Sequence, residues 1–174
     1  NGMNKIMIAE GIPITDEKNR VVAIRGFLQD ISELDMVETE LINREKRLVS
    51  LFDNSPLGII EWNLDFTIKD WNPEAEKVFG WSKSEVVNKV GDFILPDDIK
   101  VDVSLIWQDL IHGRGGLHSI NTNKTKSGAE IIVEWRNATI YGANNEVVSV
   151  VSYVEDITKK YHEEELTKQL EEKF

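Results

Sequence analysis

Apolar residues along the chain follow two periods, an alternation typical of strands and a spacing of three to four residues typical of helices. The strand-like segments are 7–14, 20–31, 58–63, 66–72, 116–125, 129–140 and 146–157. The helix-like segments are 33–52, 73–80, 82–87, 95–112 and the charged stretch from 158 onward. The sequence SKSE at 82–85 has the spacing of a capping box, which marks the start of the second short helix. Helices placed between strands at both ends of the sequence predict an α+β fold with one face of the sheet covered.

The two strands at the start of the chain repeat the two at its end, at an offset of 126 residues and without a gap. VVAIRGFLQDIS at 21–32 aligns with VVSVVSYVEDIT at 147–158, and Asn1-Gly2 aligns with Ser127-Gly128. Such an offset is the length of one small domain and is too long for a solenoid repeat. Two unrelated Val-rich hairpins are the alternative, and the shared Asp-Ile-Ser/Thr ending argues against it. The chain is thus predicted to contain the end of one domain, followed by a complete second copy.

The helix predicted at 33–52 carries an apolar stripe with heptad-like spacing, interrupted only by Arg44. The stripe consists of Leu34, Val37, Leu41, Leu48 and Leu51. Two such helices can join in parallel as a coiled coil, and the unpaired edges of the preceding hairpin also favour a partner. We therefore expect a homodimer in which 33–52 is the dimer helix. The alternative is a solvated helix whose stripe packs on its own domain, because fewer than three heptads do not decide between the two.

Composition and charge narrow the classes of partner. The formal net charge of −11 disfavours nucleic acid, whose phosphates are bound by an excess of Lys and Arg. The sequence has no apolar run of 18 residues and no signal peptide, so no membrane segment is predicted within it. It also lacks cysteine, which fits a reducing compartment and predicts a cytoplasmic location.

Catalytic motifs are absent from the sequence, among them HExxH, GxSxG and the phosphate loop GxxxxGKS/T. The Gly-rich stretch GRGG at 113–116 follows a helix and precedes a strand, whereas a phosphate cradle needs a loop that leads into a helix N-terminus. The chain is therefore predicted to be non-catalytic and to have no metal site.

The segment 71–98, WNPEAEKVFGWSKSEVVNKVGDFILPDD, resembles the core of a PAS domain. The closing segment 126–158, which ends in Asp-Ile-Thr, resembles the last two strands of the same family. The resemblance covers about 45–158, and 1–32 separately resembles the last hairpin of a preceding PAS copy. It implies an antiparallel five-stranded sheet with short helices on one face, flanked by N- and C-terminal signalling helices.

The resemblance divides the chain into four parts. These are the C-terminal hairpin of an upstream PAS domain (1–32), a linker helix (33–52), a PAS domain (53–158) and the start of an exit signalling helix (159–174). In PAS proteins the Asp-Ile-Thr ending marks where the domain hands over to a signalling helix. Asp156, Ile157 and Thr158 are therefore expected to relay the signal.

Strand alternation indicates which side chains face the interior of the sheet. In 131–139 the more apolar set, predicted to face inward, is Ile131, Val133, Trp135 and Asn137. In the last strand, comparison with the family places inside Val148, Val150, Ser152 and Val154. The candidate ligand-binding residues are Ser119, Trp135, Asn137, Val150 and Ser152. A buried Asn or Ser needs a hydrogen-bond partner, which would be a ligand or, in the alternative, backbone or water.

Two cofactors of the PAS family have residue requirements that this chain does not meet. Members that bind haem ligate iron with a His inside the long helix, and 97–111 contains none. Members with flavin photochemistry use a Cys, which the chain lacks. Both cofactors are disfavoured, and the identity of any ligand stays open. His162-Glu163 follows the domain as a phospho-accepting His does in sensor kinases, but the residues after it depart from the kinase pattern.

PAS modules occur in sensor histidine kinases, diguanylate cyclases and transcription regulators. We expect a sensory and dimerising module, most consistent with a sensor histidine kinase, that relays a small-molecule or upstream signal to an output domain beyond its C-terminus. The alternative is a ligand-free interaction domain with a filled core. A diguanylate cyclase or transcription regulator is a more distant alternative for the parent protein, and an enzyme in its own right is the least favoured.

Overall fold

The computed structural model describes residues 5–172 and divides the chain into two compact units, Asn1–Ser50 and Leu51–Phe174. The pair Asn1-Gly2, which takes part in the sequence repeat, lies outside the described residues. Within 5–172, no helix has the length and apolar character needed to cross a membrane.

The first unit is a hairpin followed by a long helix. Strands β1 (Met7–Thr15) and β2 (Val21–Asp30) pair antiparallel, and α1 (Ser32–Asp53) begins directly after them. In the turn between the strands, Asp16 Oδ1 accepts hydrogen bonds from the backbone N–H groups two and four residues ahead, both at 2.9 Å. Asp side chains commonly close turns in this way, which explains why TDEKN separates the strands. The predicted bounds of all three elements agree with the structure to within one residue.

The second unit contains a five-stranded antiparallel sheet with the strand order β4-β3-β7-β6-β5. Its strands are β3 (Gly58–Trp62), β4 (Ile68–Trp71), β5 (His118–Lys124), β6 (Glu130–Tyr141) and β7 (Val147–Asp156). The last strand of the chain, β7, lies in the middle of the sheet, hydrogen-bonded to β3 on one side and β6 on the other. The predicted α+β fold with an antiparallel five-stranded sheet is confirmed.

Short helices connect the two halves of this sheet, and another helix leaves it. They are α2 (Pro73–Phe79), α3 (Lys83–Val86), two 3₁₀ turns (Gly91–Ile94 and Asp97–Ile99), α4 (Lys100–Ile111) and α5 (Thr158–Glu171). Asn72 fixes the start of α2, because its Oδ1 accepts from the backbone N–H of Ala75 at 2.9 Å and of Ile59 at 2.7 Å. Its Nδ2 donates to the carbonyls of Phe52 and Leu57, so this fully buried side chain holds β3 and α2 together.

The predicted capping box at the start of α3 is present. Glu85 Oε2 accepts from the backbone N–H of Ser82 at 3.0 Å and from its hydroxyl at 2.9 Å. The other carboxylate oxygen of Glu85 accepts from Lys126 Nζ, in the turn between β5 and β6. Glu85 therefore caps a helix and also ties that helix to the sheet.

The strand faces agree with the predicted alternation except near the start of β7, where Val148 is exposed and its neighbour Ser149 is buried instead. Val133, Trp135, Val150, Ser152 and Val154 are buried, as expected for the inner face. The prediction was wrong for Val148, which is 45% exposed. Strand β3 ends opposite Val150, so Val148 lies beyond the part of β7 that β3 pairs with.

Candidate ligand cavity

Four aromatic rings contact one another in the core that the inner face of the sheet shares with α4. The Trp62 and Phe66 rings stack with centroids 4.9 Å apart and an interplanar angle of 2°. Trp107 meets the Phe66 ring edge-on, also at 4.9 Å, and Trp135 lies 6.4 Å from Trp62. Aromatic pairs at these separations add to stability beyond the area they bury. The centre of the domain is thus a packed aromatic cluster.

Phe66 reaches this cluster from a left-handed backbone conformation, with φ at 65°. A bulky residue at positive φ carries strain on the order of 1–3 kcal/mol, which the surroundings must offset. The Phe66 N–H donates to the carbonyl of Asn63 at 3.1 Å, and its carbonyl accepts from Gly91 at 3.0 Å. Backbone bonds and ring stacking together hold the strained turn in place.

A cavity of about 40 Å³ remains inside the cluster. Its lining residues are Trp62, Phe66, Ile94, Leu95, Val103, Ile106, Trp107, Leu110, Ser119, Asn121, Trp135 and Asn137. One water needs roughly 10–15 Å³ of such volume, so the cavity has room for about three waters or a very small molecule. Of the five candidate ligand-binding residues, Ser119, Trp135 and Asn137 line it, whereas Val150 and Ser152 are buried without lining it.

A chain of hydrogen bonds crosses the sheet at the edge of this cavity. Trp62 Nε1 donates to Ser152 Oγ at 2.9 Å, and the Ser152 hydroxyl donates to Asn137 Oδ1 at 2.7 Å. Asn137 Nδ2 in turn donates to the carbonyl of Gly116 at 2.8 Å. The side chains of β3, β7 and β6 are thereby linked to the segment that precedes β5. Both polar atoms of the Asn137 side chain are thus hydrogen-bonded to protein groups.

A second buried polar pair lies beside the first chain and was not predicted. Trp135 Nε1 donates to Asn123 Oδ1 at 3.0 Å, and Asn123 Nδ2 donates to the carbonyl of Ile94 at 3.1 Å. Asn123 is fully buried, although Ile120 on the same strand is 47% exposed. The inner face of β5 is polar, so a rule that places apolar residues inside selects the wrong face. The register of β5 on β6, which sets Asn123 opposite Ile131, identifies the correct one.

An open groove of about 330 Å³ lies on the other side of Phe66 and Trp107. Its polar lining residues are Asp65, Asp92, Lys100, Ser104 and Gln108. Phe66, Leu95, Val103 and Trp107 line both the groove and the inner cavity, so these four side chains separate the two spaces. Trp107 is anchored there by a bond from its Nε1 to the carbonyl of Leu64 at 3.2 Å.

Comparison with protein families decides the identity of this domain. The family model for the PAS fold matches residues 46–157, which is more than half of the chain. The chain belongs to the PAS family. The PAS resemblance of the sequence is therefore confirmed for the second unit.

Individual relatives fit this assignment. The sensor protein FixL of Bradyrhizobium diazoefficiens is 30% identical over 84 residues, which span 48% of this chain and only 17% of FixL. The solved PAS domain of a protein from Colwellia psychrerythraea is 23% identical, with a TM-score of 0.62 over 66% of this chain and 97% of its own. A sensory box histidine kinase/response regulator from Burkholderia thailandensis is 18% identical, with a TM-score of 0.56 over 73% of this chain and 96% of its own. These two structures support the PAS fold alone.

The end of the PAS domain is bonded to the start of α5. Asp156 Oδ1 accepts from the backbone N–H of Thr158 at 2.9 Å and from its hydroxyl. Thr158 Oγ1 accepts from the backbone N–H of Ile132 at 2.8 Å, and Ile157 N–H donates to the Ile132 carbonyl at 2.9 Å. The predicted relay residues thus join β6, β7 and α5 at one point.

The charged groups of the PAS domain lie on its surface. Glu134 accepts from His118 Nε2 at 2.8 Å and from Arg136 at 3.1 Å, and the bond from His118, followed by that from Arg136, lowers the pKa of this carboxyl. Among residues 5–172, no group of three or more His, Cys, Asp and Glu side chains is arranged to hold a metal ion. The chemistry that the cavity offers is aromatic contact and amide or hydroxyl hydrogen bonding.

Proposed function

We propose that this chain is a sensory and dimerising module of a cytoplasmic signal-transduction protein with more than one PAS copy, and that the parent protein is a sensor histidine kinase. One observation carries the sensory role, namely that β7 holds both a member of the cavity's polar chain, Ser152, and the first residue of the exit junction, Asp156. A change at the cavity therefore has a short covalent route to α5.

The polar chain suggests how a ligand would act. A small molecule that takes a hydrogen bond from Asn137 Nδ2 would compete with the carbonyl of Gly116. Any rotation of the Asn137 amide would also remove the acceptor of the Ser152 hydroxyl. Asn137 on β6 and Ser152 on β7 lie opposite each other. Thr158, the first residue of α5, is hydrogen-bonded both to β6 and to Asp156 at the end of β7. A movement of the two strands relative to each other would therefore reach α5.

The ligand-free interaction domain is a second candidate, favoured by the small volume of the cavity. About 40 Å³ excludes a drug-sized molecule, for which pockets are several-fold larger. A larger ligand would require Phe66 or Trp107 to swing aside and merge the cavity with the outer groove. If the domain is a ligand-free interaction domain, the aromatic cluster stays closed. The domain then transmits only conformational changes of the domains next to it in the protein.

Mass spectrometry separates the two candidates. Protein purified from cells is compared under native and denaturing conditions, and a metabolite panel is screened by thermal shift. A mass excess that is lost on denaturation, together with a thermal shift by the same compound, supports sensing. Repeatedly empty spectra with no shift across the panel would support the interaction domain instead.

The histidine-kinase parentage is supported by the likeness to the sensor protein FixL, which is 30% identical over 84 residues. It is tested on the protein expressed from its complete gene, incubated with radiolabelled ATP. Acid-labile phosphorylation of a His supports a kinase, whereas diguanylate cyclase activity or DNA binding by the complete protein would replace this parentage with one of the more distant alternatives.

The dimerising role is supported by the seam of α1. Leu34, Val37, Leu41, Leu48 and Leu51 are each between 57% and 67% exposed in the protomer. Burying an exposed Leu contributes about 1.5–3 kcal/mol, so a stripe of five gives two helices a reason to pair. Arg44, which interrupts the seam, forms an ion pair with Glu40 at 2.6 Å along its own helix.

A further inference from the structure

The N-terminal hairpin reproduces the β6–β7 hairpin in structure as well as in sequence. Met7 pairs with Asp30 as Val133 pairs with Asp156, and the same register holds along both hairpins. Each hairpin has one shift in its pairing register, and the two shifts are at equivalent places. They lie between Ile14 and Thr15 in the first hairpin and between Ile140 and Tyr141 in the second. Both turns also use an Asn at positive φ, 60° and 64°. Two unrelated hairpins would not share register, irregularity and turn geometry.

The junction with the following helix is reproduced too. Asp30 Oδ1 accepts from the backbone N–H of Ser32 at 3.0 Å, and Ser32 Oγ accepts from the backbone N–H of Ile6 at 2.9 Å. These are the equivalents of the bonds that Asp156 and Thr158 make at the start of α5. The first hairpin therefore has the local structure of a PAS domain's last two strands, with α1 as its exit helix.

The surroundings of the two hairpins are opposite. In the PAS domain, β7 is flanked by β3, β6 is flanked by β5, and their inner face forms the core. In the N-terminal hairpin every residue of both strands is exposed. We call its inner face the residues equivalent to that core, which are Met7, Ala9, Gly11, Ile24, Gly26 and Leu28. Two of them, Ile24 and Leu28, are 74% and 71% exposed. An apolar two-stranded sheet with two open edges is marginal in water.

We propose that the inner face and both edges of this hairpin dock the remainder of an upstream PAS core, equivalent to 53–129, within the same polypeptide. This inference rests on the proposed multi-PAS function. Because β3 pairs with β7 over 150–154, the equivalent strand of the occupant pairs along 24–28 of β2. Because β5 pairs with β6 over 130–136, another strand pairs along the opposite edge, on β1 up to Glu10.

A second copy of this chain is the competing occupant, by exchange of hairpins between two PAS domains. Such an exchange would place Ala9, Gly11 and Gly26 where the domain has Trp135, Asn137 and Ser152. The indole N–H of Trp62 and the amide of Asn123 would then lose their buried partners. A buried donor or acceptor left without a partner costs about 1–3 kcal/mol. The inner face therefore fits a different core, one whose own large side chains pack against the paired glycines Gly11 and Gly26.

Cysteine labelling tests the proposal, since the chain has no cysteine of its own. Leu28→Cys places a thiol on the inner face, and Gln29→Cys is the matched control on the opposite face. Both are made in the protein from the complete gene and in the 174-residue chain, and maleimide labelling at the introduced site is timed by peptide mass spectrometry. In the complete protein, Leu28→Cys should react at least about tenfold more slowly than Gln29→Cys, and in the 174-residue chain the two rates should be similar.

Three results would overturn the proposal. The first is an equal labelling rate for Leu28→Cys and Gln29→Cys in the complete protein. The second is slow labelling of Leu28→Cys in the 174-residue chain that becomes fast on dilution, which indicates that a second copy covers the inner face. The third is slow labelling there that dilution does not change, which indicates that the chain's own PAS domain covers it. The pair Ile24→Cys and Arg25→Cys repeats the measurement in case Leu28→Cys disturbs folding. Ligand binding and His phosphorylation are measured separately from labelling. Equal labelling rates would therefore overturn the docking proposal without affecting the sensory role of 46–157. Absence of ligand binding would overturn the sensory role without affecting the labelling result.

Discussion

Asn137 and Ser152 face each other across the β6–β7 pair, and the Ser152 hydroxyl donates to Asn137 Oδ1 at 2.7 Å. This bond lies inside the core, where Ser152 is almost fully buried, and it continues on one side to Trp62 and on the other to the carbonyl of Gly116. A satisfied buried polar chain of this kind specifies one arrangement of the strands it joins.

The first prediction concerns that chain. Asn137→Leu removes the acceptor of Ser152 and the donor to Gly116, so the free energy of unfolding should fall by about 1–3 kcal/mol. Urea denaturation measures it, with Arg136→Leu on the exposed face of the same strand as the control. The loss should be smaller when Ser152 is already Ala, because the two substitutions share the Ser152–Asn137 bond, while the bond from Asn137 to Gly116 is lost in either background. If Asn137→Leu were as stable as the wild type, this chain of hydrogen bonds would contribute nothing to the free energy of unfolding.

The second prediction concerns the strained turn at Phe66. Phe66→Ala and Phe66→Gly both delete the ring that stacks on Trp62, and the Ala variant should lose about 3 kcal/mol of unfolding free energy. Because the backbone is at φ 65°, the Gly variant should be more stable than the Ala variant by about 1 kcal/mol, the reverse of their usual order. Thermal and urea unfolding of the two variants side by side decide this. An Ala variant as stable as the Gly variant would mean that the turn relaxes.

The third prediction concerns pH and Glu85. The hydrogen bond from Lys126, followed by those from Ser82, lowers the pKa of this carboxyl from its usual 4.5 to about 2. A lowered folded-state pKa contributes stability that is present above the unfolded pKa and is lost as the carboxylate is protonated. Glu85→Gln should therefore be less stable than the wild type at pH 7, and the difference should shrink between about pH 4.5 and pH 2.

Denaturant unfolding at a series of pH values gives this difference directly. Lys126→Met serves as the companion variant, since it removes the first-named cause of the shift but leaves the bonds from Ser82 in place. It should reproduce part of the pH dependence. A difference between the wild type and Glu85→Gln that stays constant down to pH 2 would contradict the assignment.

The sequence predicts the fold well because its elements are marked locally. The predicted bounds of β1, β2 and α1 agree with the structure to within one residue. The reason is that TDEKN and DNSP are rich in Asp, Asn, Ser and Pro, which favour turns and end helices and strands. The capping box at Ser82 and the inward direction of Trp135 follow from spacing alone.

The cavity was less predictable, for reasons that are tertiary. Asn121 and Asn123 face inward against their polarity because the register with β6 places them there. Phe66 adopts a conformation that no local rule favours for an aromatic residue. Val148 is exposed because β3 stops short of it, and the length of a neighbouring strand cannot be read from alternation.

The last prediction concerns the seam of α1. Leu41→Asp places a charge in the middle of the apolar stripe, so the protein should shift from dimer to monomer in sedimentation velocity experiments, whereas Thr39→Asp, two residues away and off the stripe, should leave the dimer intact. Deleting 1–45 removes the hairpin and three of the five seam residues, so it should weaken the dimer while 46–158 keeps its circular dichroism spectrum and cooperative unfolding. If the stripe instead packs on its own PAS sheet, a mixed helix–sheet interface can still support a dimer, and Leu41→Asp should then lower the thermal midpoint of the PAS domain as well. An unchanged dimer after the deletion, or a monomer before it, would show that α1 does not hold two copies together.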